Sequence, residues 1–184
     1  MTVNTTRIVA LVGSLRADSL NMQIAECLRD RAPEGVVVEI ADCLHELPFY
    51  NEDVDGTDAV PPAVHKLRAT VAGADAVLAV TPEYNGTMPA VLNNAIDWLS
   101  RPYGESAITG KPFGVVGATP TQYGGKWAHE DARRSATIAG ARVVDEALVS
   151  QSAIDVDVLG DPAIVGRFLG ALDSLTAAHR QVAA

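Results

Sequence analysis

Residues Ala76–Gly86 read AVLAVTPEYNG, and the way this stretch breaks in the middle decides the fold. Ala76–Thr81 is apolar at nearly every position. That is the pattern of a strand covered on both faces of a parallel sheet, not of one with a wet face. Pro82 stops it, because the ring fixes its own φ and restricts Thr81 before it. Asn85-Gly86 then favours a tight turn. Beyond the turn, Pro89–Ser100 carries Val91, Leu92, Ala95, Ile96 and Leu99 at i, i+1, i+4, i+5 and i+8, a single apolar helical face. The stretch is therefore the hinge of a strand–loop–helix unit.

The same unit recurs on both sides. Arg7–Val12, Val36–Ile40, Pro112–Ala118 and Arg142–Val149 are short and rich in β-branched residues. Between and after them, Ser19–Arg31, Pro61–Ala72, Lys126–Ala139 and Asp161–Ala178 have helical periodicity, with Pro162 well placed at a first helical position. Five strands alternating with five helices predict an α/β fold: a doubly wound, five-stranded parallel sheet between two helical layers, a three-layer sandwich. Strand three is expected beside strand one. The 184 residues read as one domain, with 1–6 as a short polar tail.

Composition narrows the function. Hydrophobic residues make up 48%, an ordinary globular share, and the formal net charge is −9. Such an acidic chain is a poor partner for nucleic acid, whose binding depends on Lys and Arg replacing counterions. No run approaches the roughly 18 apolar residues of a membrane span, and the N-terminus lacks the pattern of a secretory signal. Cys27 and Cys43 are too few for a disulfide framework, so the cytoplasm is the expected location. The four histidines are scattered, and no metal site or Ser-His-Asp assembly is expected.

In a doubly wound sheet, ligands bind beyond the carboxyl ends of the strands. The first such loop reads GSLRADSLN, Gly13–Asn21. Ser14, Ser19 and Asn21 offer uncharged donors and Arg16 a planar charged fork, all where a helix presents free N–H groups. That chemistry suits one terminal phosphate; the alternative is an ordinary N-cap with a solvated arginine. In the second loop, Glu83, Tyr84 and Asn85 hold backbone N–H groups with no evident partner, which suits the edge of a flat polar heterocycle. Alternatively, Tyr84 packs on a helix and Glu83 is a surface charge. The third loop, TPTQYGGKW from Thr119 to Trp127, adds the Thr119 and Thr121 hydroxyls, the close approach allowed by Gly124-Gly125, and Tyr123 or Trp127 to cover a ring. It also reads as a plain strand-to-helix turn. Together the loops outline FMN.

The segments GSLRADSLN at Gly13–Asn21, TPEYN at Thr81–Asn85, NAIDWLS at Asn94–Ser100 and Gly124-Gly125 resemble the NADPH-dependent FMN reductases, a family with quinone, chromate and azo-dye reductases. The resemblance implies a flavodoxin-like fold and non-covalent FMN. Ser14, Arg16, Ser19, Asn21 and Met22 would surround its phosphate and ribityl chain. Pro82, Glu83, Tyr84 and Asn85 would border the isoalloxazine, with Thr119, Gly124 and Gly125 on another side. NADPH or NADH would be the co-substrate, the flavin would carry the chemistry without a catalytic side chain, and a small-molecule electron acceptor would then take the electrons. Homodimers or homotetramers are implied, with the segment 44–60 near the interface. A flavodoxin-like electron carrier without nicotinamide-dependent activity is the alternative. Thr87 and Asn93 stand where many relatives have serine and lysine.

Overall fold

The computed structural model describes residues 5–182. Its elements are β1 (Thr6–Val12), α1 (Leu20–Asp30), β2 (Val36–Ile40), a short 3-10 turn (Leu44–Glu46), α2 (Pro62–Ala72), β3 (Ala76–Val80), α3 (Ala90–Leu99), β4 (Pro112–Thr119), α4 (Lys126–Ile138), β5 (Arg142–Ser152) and α5 (Pro162–Val182). The strands form one parallel sheet in the order β2-β1-β3-β4-β5, so strand three does lie beside strand one. Alternate residues of the central strands feed two cores. Val9, Leu11, Val77, Ala79, Phe113 and Val115 meet α2, α3 and α4 on one face. Ile8, Ala10, Val12, Leu78, Val80 and Val116 meet α1 and α5 on the other. The five-stranded α/β sandwich is as the periodicity predicts.

Boundaries differ where tertiary pairing overrides local character. Thr6 is not tail: it is buried, registers against Val36 and donates its N–H to Gly35 O at 2.8 Å. Residues 1–4 of the expected tail lie outside the described residues. The polar sequence Ser150-Gln151-Ser152 extends β5 beyond Val149, because its backbone pairs with Gly117, Ala118 and Thr119. Among the described residues no helix is long and apolar enough to cross a membrane.

One irregularity shapes the carboxyl end of the sheet. β3 stops at Val80 while β4 runs on to Thr119. Thr81 N still donates to Val116 O at 2.9 Å, but no further β3 residue exists to pair with Ala118. Asn21, in the first turn of α1, fills that vacancy in the ladder. Its Nδ2 donates to Ala118 O at 2.9 Å, and its Oδ1 accepts from Ala118 N at 3.0 Å. The carboxamide imitates a strand residue, satisfying two buried backbone groups that water cannot reach. Gly117 makes the arrangement possible: a Cβ there would sit 2.1 Å from Thr81 O and 2.8 Å from Asn21 Oδ1.

The segment after β2 is held by two residues one helical turn apart on α3. Asn94 Nδ2 and Trp98 Nε1 both donate to Pro48 O, at 3.0 and 2.8 Å, and Tyr50 N donates to Asn94 Oδ1 at 2.9 Å. Trp98 also packs edge-on to Tyr50 with ring centroids 5.0 Å apart. The NAIDW motif is thus a clamp for residues 47–50.

Asn21→Ala should lower folding stability by about 1–3 kcal/mol for each backbone group of Ala118 left unpaired, as read by chemical denaturation. A loss below about 0.5 kcal/mol would show that the ladder closes some other way.

Candidate functional site

The three loops predicted to bind a ligand converge at the carboxyl end of the sheet, but several of their polar groups work differently from the sequence expectation. In the first loop, Ser19 is the N-cap of α1, and its Oγ accepts from Met22 N at 3.2 Å. The Met22 side chain packs against the α1–α5 core. The Asn21 carboxamide is committed to Ala118. These three residues therefore shape the loop more than their side-chain chemistry suggested. What remains is a row of donors. Among the described residues, no backbone N–H from Ser14 through Asn21 donates to another protein group. Ser14 is buried at the start of this row. Arg16 is exposed and meets no carboxylate among the described ion pairs.

Gly13, Leu15, Arg16 and Tyr84 border a cleft of about 410 Å³ that continues to Pro89 and Val91 at the start of α3. Its size is that of a small-molecule pocket. Its walls are largely apolar, with the Arg16 cation at one side and a helix N-terminus behind.

The second loop is a miniature hairpin. Tyr84 N donates to Thr87 O at 3.0 Å and Thr87 N to Tyr84 O at 3.1 Å, closing a two-residue turn with φ of 52° at Asn85 and 74° at Gly86. Positive φ at both central residues is a type I′ turn, which explains the Asn-Gly pair. The expectation that Glu83, Tyr84 and Asn85 all keep free N–H groups is corrected here. Tyr84 N is used within the turn, and Glu83 N donates to Thr119 Oγ1 at 3.0 Å. Asn85 N alone of the three has no protein partner among the described residues. Tyr84 stays partly exposed at the cleft, beside the start of α3.

Glu83 is not an idle surface charge. Its Oε2 accepts from Trp127 N at 3.0 Å and Ala128 N at 3.2 Å, the first turn of α4. That helix begins at Gly125 in a left-handed conformation with no side-chain cap of its own. A carboxylate from a neighbouring loop supplies the missing acceptor and complements the helix dipole.

In the third loop the paired glycines answer to the protein. A Cβ on Gly124, where φ is +60°, would lie 2.6 Å from the Gln151 carbonyl carbon on β5. The close approach is to a neighbouring strand, as well as to anything in the crevice. Thr119 is buried with its Oγ1 accepting from Glu83 N, while Thr121 Oγ1 is buried with no protein partner among the described residues. Tyr123 and Trp127 stand exposed with ring centroids 4.6 Å apart. Of the basic residues near α4, Arg133 pairs with Asp145, Arg134 with Asp131 and Lys126 with Glu130.

Sequence reading missed His129. Fully buried on α4, it places Nε2 3.0 Å from Thr81 O and Nδ1 2.7 Å from Ser150 Oγ. A carbonyl only accepts, so Nε2 carries the proton and Nδ1 accepts from the serine. His129 thereby satisfies the last carbonyl of the broken β3 edge and ties it to β5. Its small-residue surroundings, Ala128 and Ala132, are the one local signal of burial. Burial pushes its pKa below the ordinary value, against smaller opposing effects from the Thr81 carbonyl and Glu83.

Glu83→Ala should cost about 0.5–2 kcal/mol of stability, the range of a lost cap, with faster amide exchange at Trp127 and Ala128; unchanged exchange there would reject the capping role. For His129, the folded protein resists a proton that the unfolded chain accepts. Its stabilisation is intact above about pH 6.5 and declines as pH falls from there toward the depressed folded pKa. Stability measured between pH 7 and 5 should therefore fall more steeply in the wild type than in His129→Gln.

Comparison with known proteins identifies the family. The family model described as NADPH-dependent FMN reductase matches residues 6–155. A quinone reductase of Pseudomonas putida is 44% identical over 128 residues, covering 70% of this chain and 68% of that protein. A 2-hydroxy-1,4-benzoquinone reductase of Burkholderia sp. is 42% identical over 113 residues, 61% of this chain and 60% of that one. Among solved structures, FerB, a flavoenzyme NAD(P)H:(acceptor) oxidoreductase from Paracoccus denitrificans, superposes with a TM-score of 0.81 at 29% identity, covering 96% and 98% of the two chains. The chain belongs to the NADPH-dependent FMN reductase family, a family of flavin-dependent oxidoreductases.

Proposed function

We propose that this protein binds FMN non-covalently at the strand-end loops and reduces quinones at the expense of NADPH or NADH. The overall change is NAD(P)H, a proton and a quinone giving NAD(P)⁺ and a hydroquinone. Bound FMN supplies the two-electron chemistry that joins donor to acceptor. The chain's own residues bind, orient and shield. The observation that carries the reading is the unbroken row of undonated N–H groups from Ser14 to Asn21 beside an unpaired Arg16. These fit a phosphate monoester: amides at a helix start favour the anion and a guanidinium binds its oxygens in pairs. Ser14 and Ser19 add hydroxyl donors, while Asn21 and Met22 hold the first turn of α1 in place. Pro82, Glu83, Tyr84 and Asn85 form the wall for the ring, with Asn85 N free to meet its polar edge. Thr119, Gly124 and Gly125 carry that wall from behind.

Quinone is favoured over an oxyanion such as chromate because the cleft is apolar and its one unpaired cation is assigned to the phosphate. The names of the Pseudomonas and Burkholderia relatives support the same choice. We place the activity in the cytoplasm, where reduced nicotinamide is available. We also propose a homodimer or a dimer of dimers. Tyr103 and Ile138 are both strongly exposed, and Tyr103 borders two hollows, one reaching Tyr50 and the other Ile138. Apolar side chains gathered in this way mark a subunit contact.

The purified protein should be yellow and should oxidise NADPH or NADH when a benzoquinone is added. A flavin that neither nicotinamide reduces would leave an electron carrier instead. Arg16→Ala should weaken FMN binding roughly ten- to a hundredfold, the value of one charge-assisted contact, as read by quenching of free FMN fluorescence. Light scattering should give a mass of two or four chains.

A further inference from the structure

The three loops converge on Thr81. A Cβ on Gly13 of the first loop would lie 2.2 Å from its Oγ1, and a Cβ on Gly117 of β4 would lie 2.1 Å from its carbonyl oxygen. Pro82, where the wall for the flavin ring begins, follows it directly. His129 Nε2 holds the Thr81 carbonyl at 3.0 Å, and Ser150 Oγ holds His129 Nδ1 at 2.7 Å. The third loop closes over the same imidazole, since a Cβ on Gly125 would stand 3.2 Å from Nε2. One fully buried ring thus bears on the second loop, the third loop and β5 at once.

Its surroundings suit the neutral form. A proton on Nδ1 would turn the Ser150 hydrogen away from its acceptor, and among the described residues that hydroxyl has no other partner. The charged groups nearby do not offset the burial of a cation. Glu83 favours the proton, but its carboxylate already accepts from Trp127 N and Ala128 N, and burial outweighs it. On α4, Lys126 pairs with Glu130, Arg134 with Asp131, and Arg133 with Asp145 of β5. Arg142 and Glu146 lie toward the other end of β5, β3 and β4 carry no charged residue, and Asp97 of α3 lies beside Ser135 and Ile138, farther along α4.

We propose that His129 is a positioning residue for the flavin: the neutral imidazole holds the Thr81–Pro82 junction in the form that receives the ring, and protonation loosens that hold, so FMN is retained at neutral pH and released in acid. The inference rests on the FMN reading above. A buried imidazolium is tolerated only if water reaches it, and water enters by parting Thr81, Ser150 and the Gly125 turn. An ordered wall and a proton on His129 therefore exclude one another. By reciprocity, a proton weakens FMN binding and FMN weakens proton binding by the same factor. Affinity is full above the titration of His129 in the FMN-free protein and is lost as pH falls through it.

The test needs no turnover. Dissociation constants for FMN are read from quenching of its fluorescence between about pH 7.5 and pH 5, with circular dichroism confirming the fold at each pH. The FMN phosphate itself takes up a proton near about pH 6, and His129→Gln shares that effect while donating to Thr81 O at every pH. The wild-type constant should rise at least about fivefold more than that of His129→Gln, the low end of such couplings. His129→Leu, which fills the space without a donor, should bind about tenfold more weakly across the whole range. In the unmutated chain, the imidazole signal of His129 followed by NMR should titrate at lower pH once FMN is added. Parallel pH profiles in wild type and His129→Gln, wild-type affinity in His129→Leu, or an imidazole titration that FMN leaves in place overturns the assignment. Failure of the wild type to bind FMN at neutral pH instead defeats the cofactor reading, and this inference with it.

Discussion

The strand-end loops meet as they do because β3 ends before β4 does. Pro82 cannot continue the ladder, so Thr81 O and both backbone groups of Ala118 face an interior without a strand partner. Unpaired, each would carry a desolvation cost of about 1–3 kcal/mol. Two side chains from different helices resolve this. Asn21 of α1 takes both groups of Ala118, and His129 of α4 takes Thr81 O. The same bonds fix the starts of those helices against the sheet end. A defect in the sheet thus becomes the register mark for the first and third loops.

The second loop is coupled to that frame through Glu83. Its N–H reaches Thr119 on β4, and its carboxylate caps α4, which has no cap of its own. Removing any one link leaves a helix end, a strand end or a turn without its hydrogen-bond partner. The loops can therefore be irregular in sequence yet rigid, which a ligand site requires. Among the described residues, the groups left over after these internal bonds are the N–H row of the first loop, Asn85 N and the exposed aromatic faces. The division of labour is between polar groups that hold the loops and polar groups that remain open.

Local readings and tertiary roles diverge most at residues that looked like ligands. Asn21 reads as a donor to phosphate because it sits at a helix start with a polar side chain. Only the neighbouring strand reveals that its carboxamide stands in for a missing β3 residue. Glu83 reads as solvent-exposed because nothing nearby in sequence pairs with it; its partner lies 44 residues on, at the start of α4. His129 gives almost no local sign, since one histidine among alanines looks the same on a wet helix as on a buried one. Arg16 and its loop are legible because their meaning depends only on the adjoining residues, which start a helix.

The chain's own pattern determined the layer order, the parallel sheet, the Pro82 break and the tight turn at Asn85-Gly86. Each depends on period, proline or glycine within a few residues, so local chemistry is sufficient. The NAIDW spacing likewise puts Asn94 and Trp98 one turn apart on a helix. The tertiary structure alone decided that both grip Pro48, that β5 continues through polar Ser152, and which loop donors are free. Those outcomes depend on hydrogen-bond partners tens of residues apart, and a backbone group counts as open only once every possible internal partner has been placed.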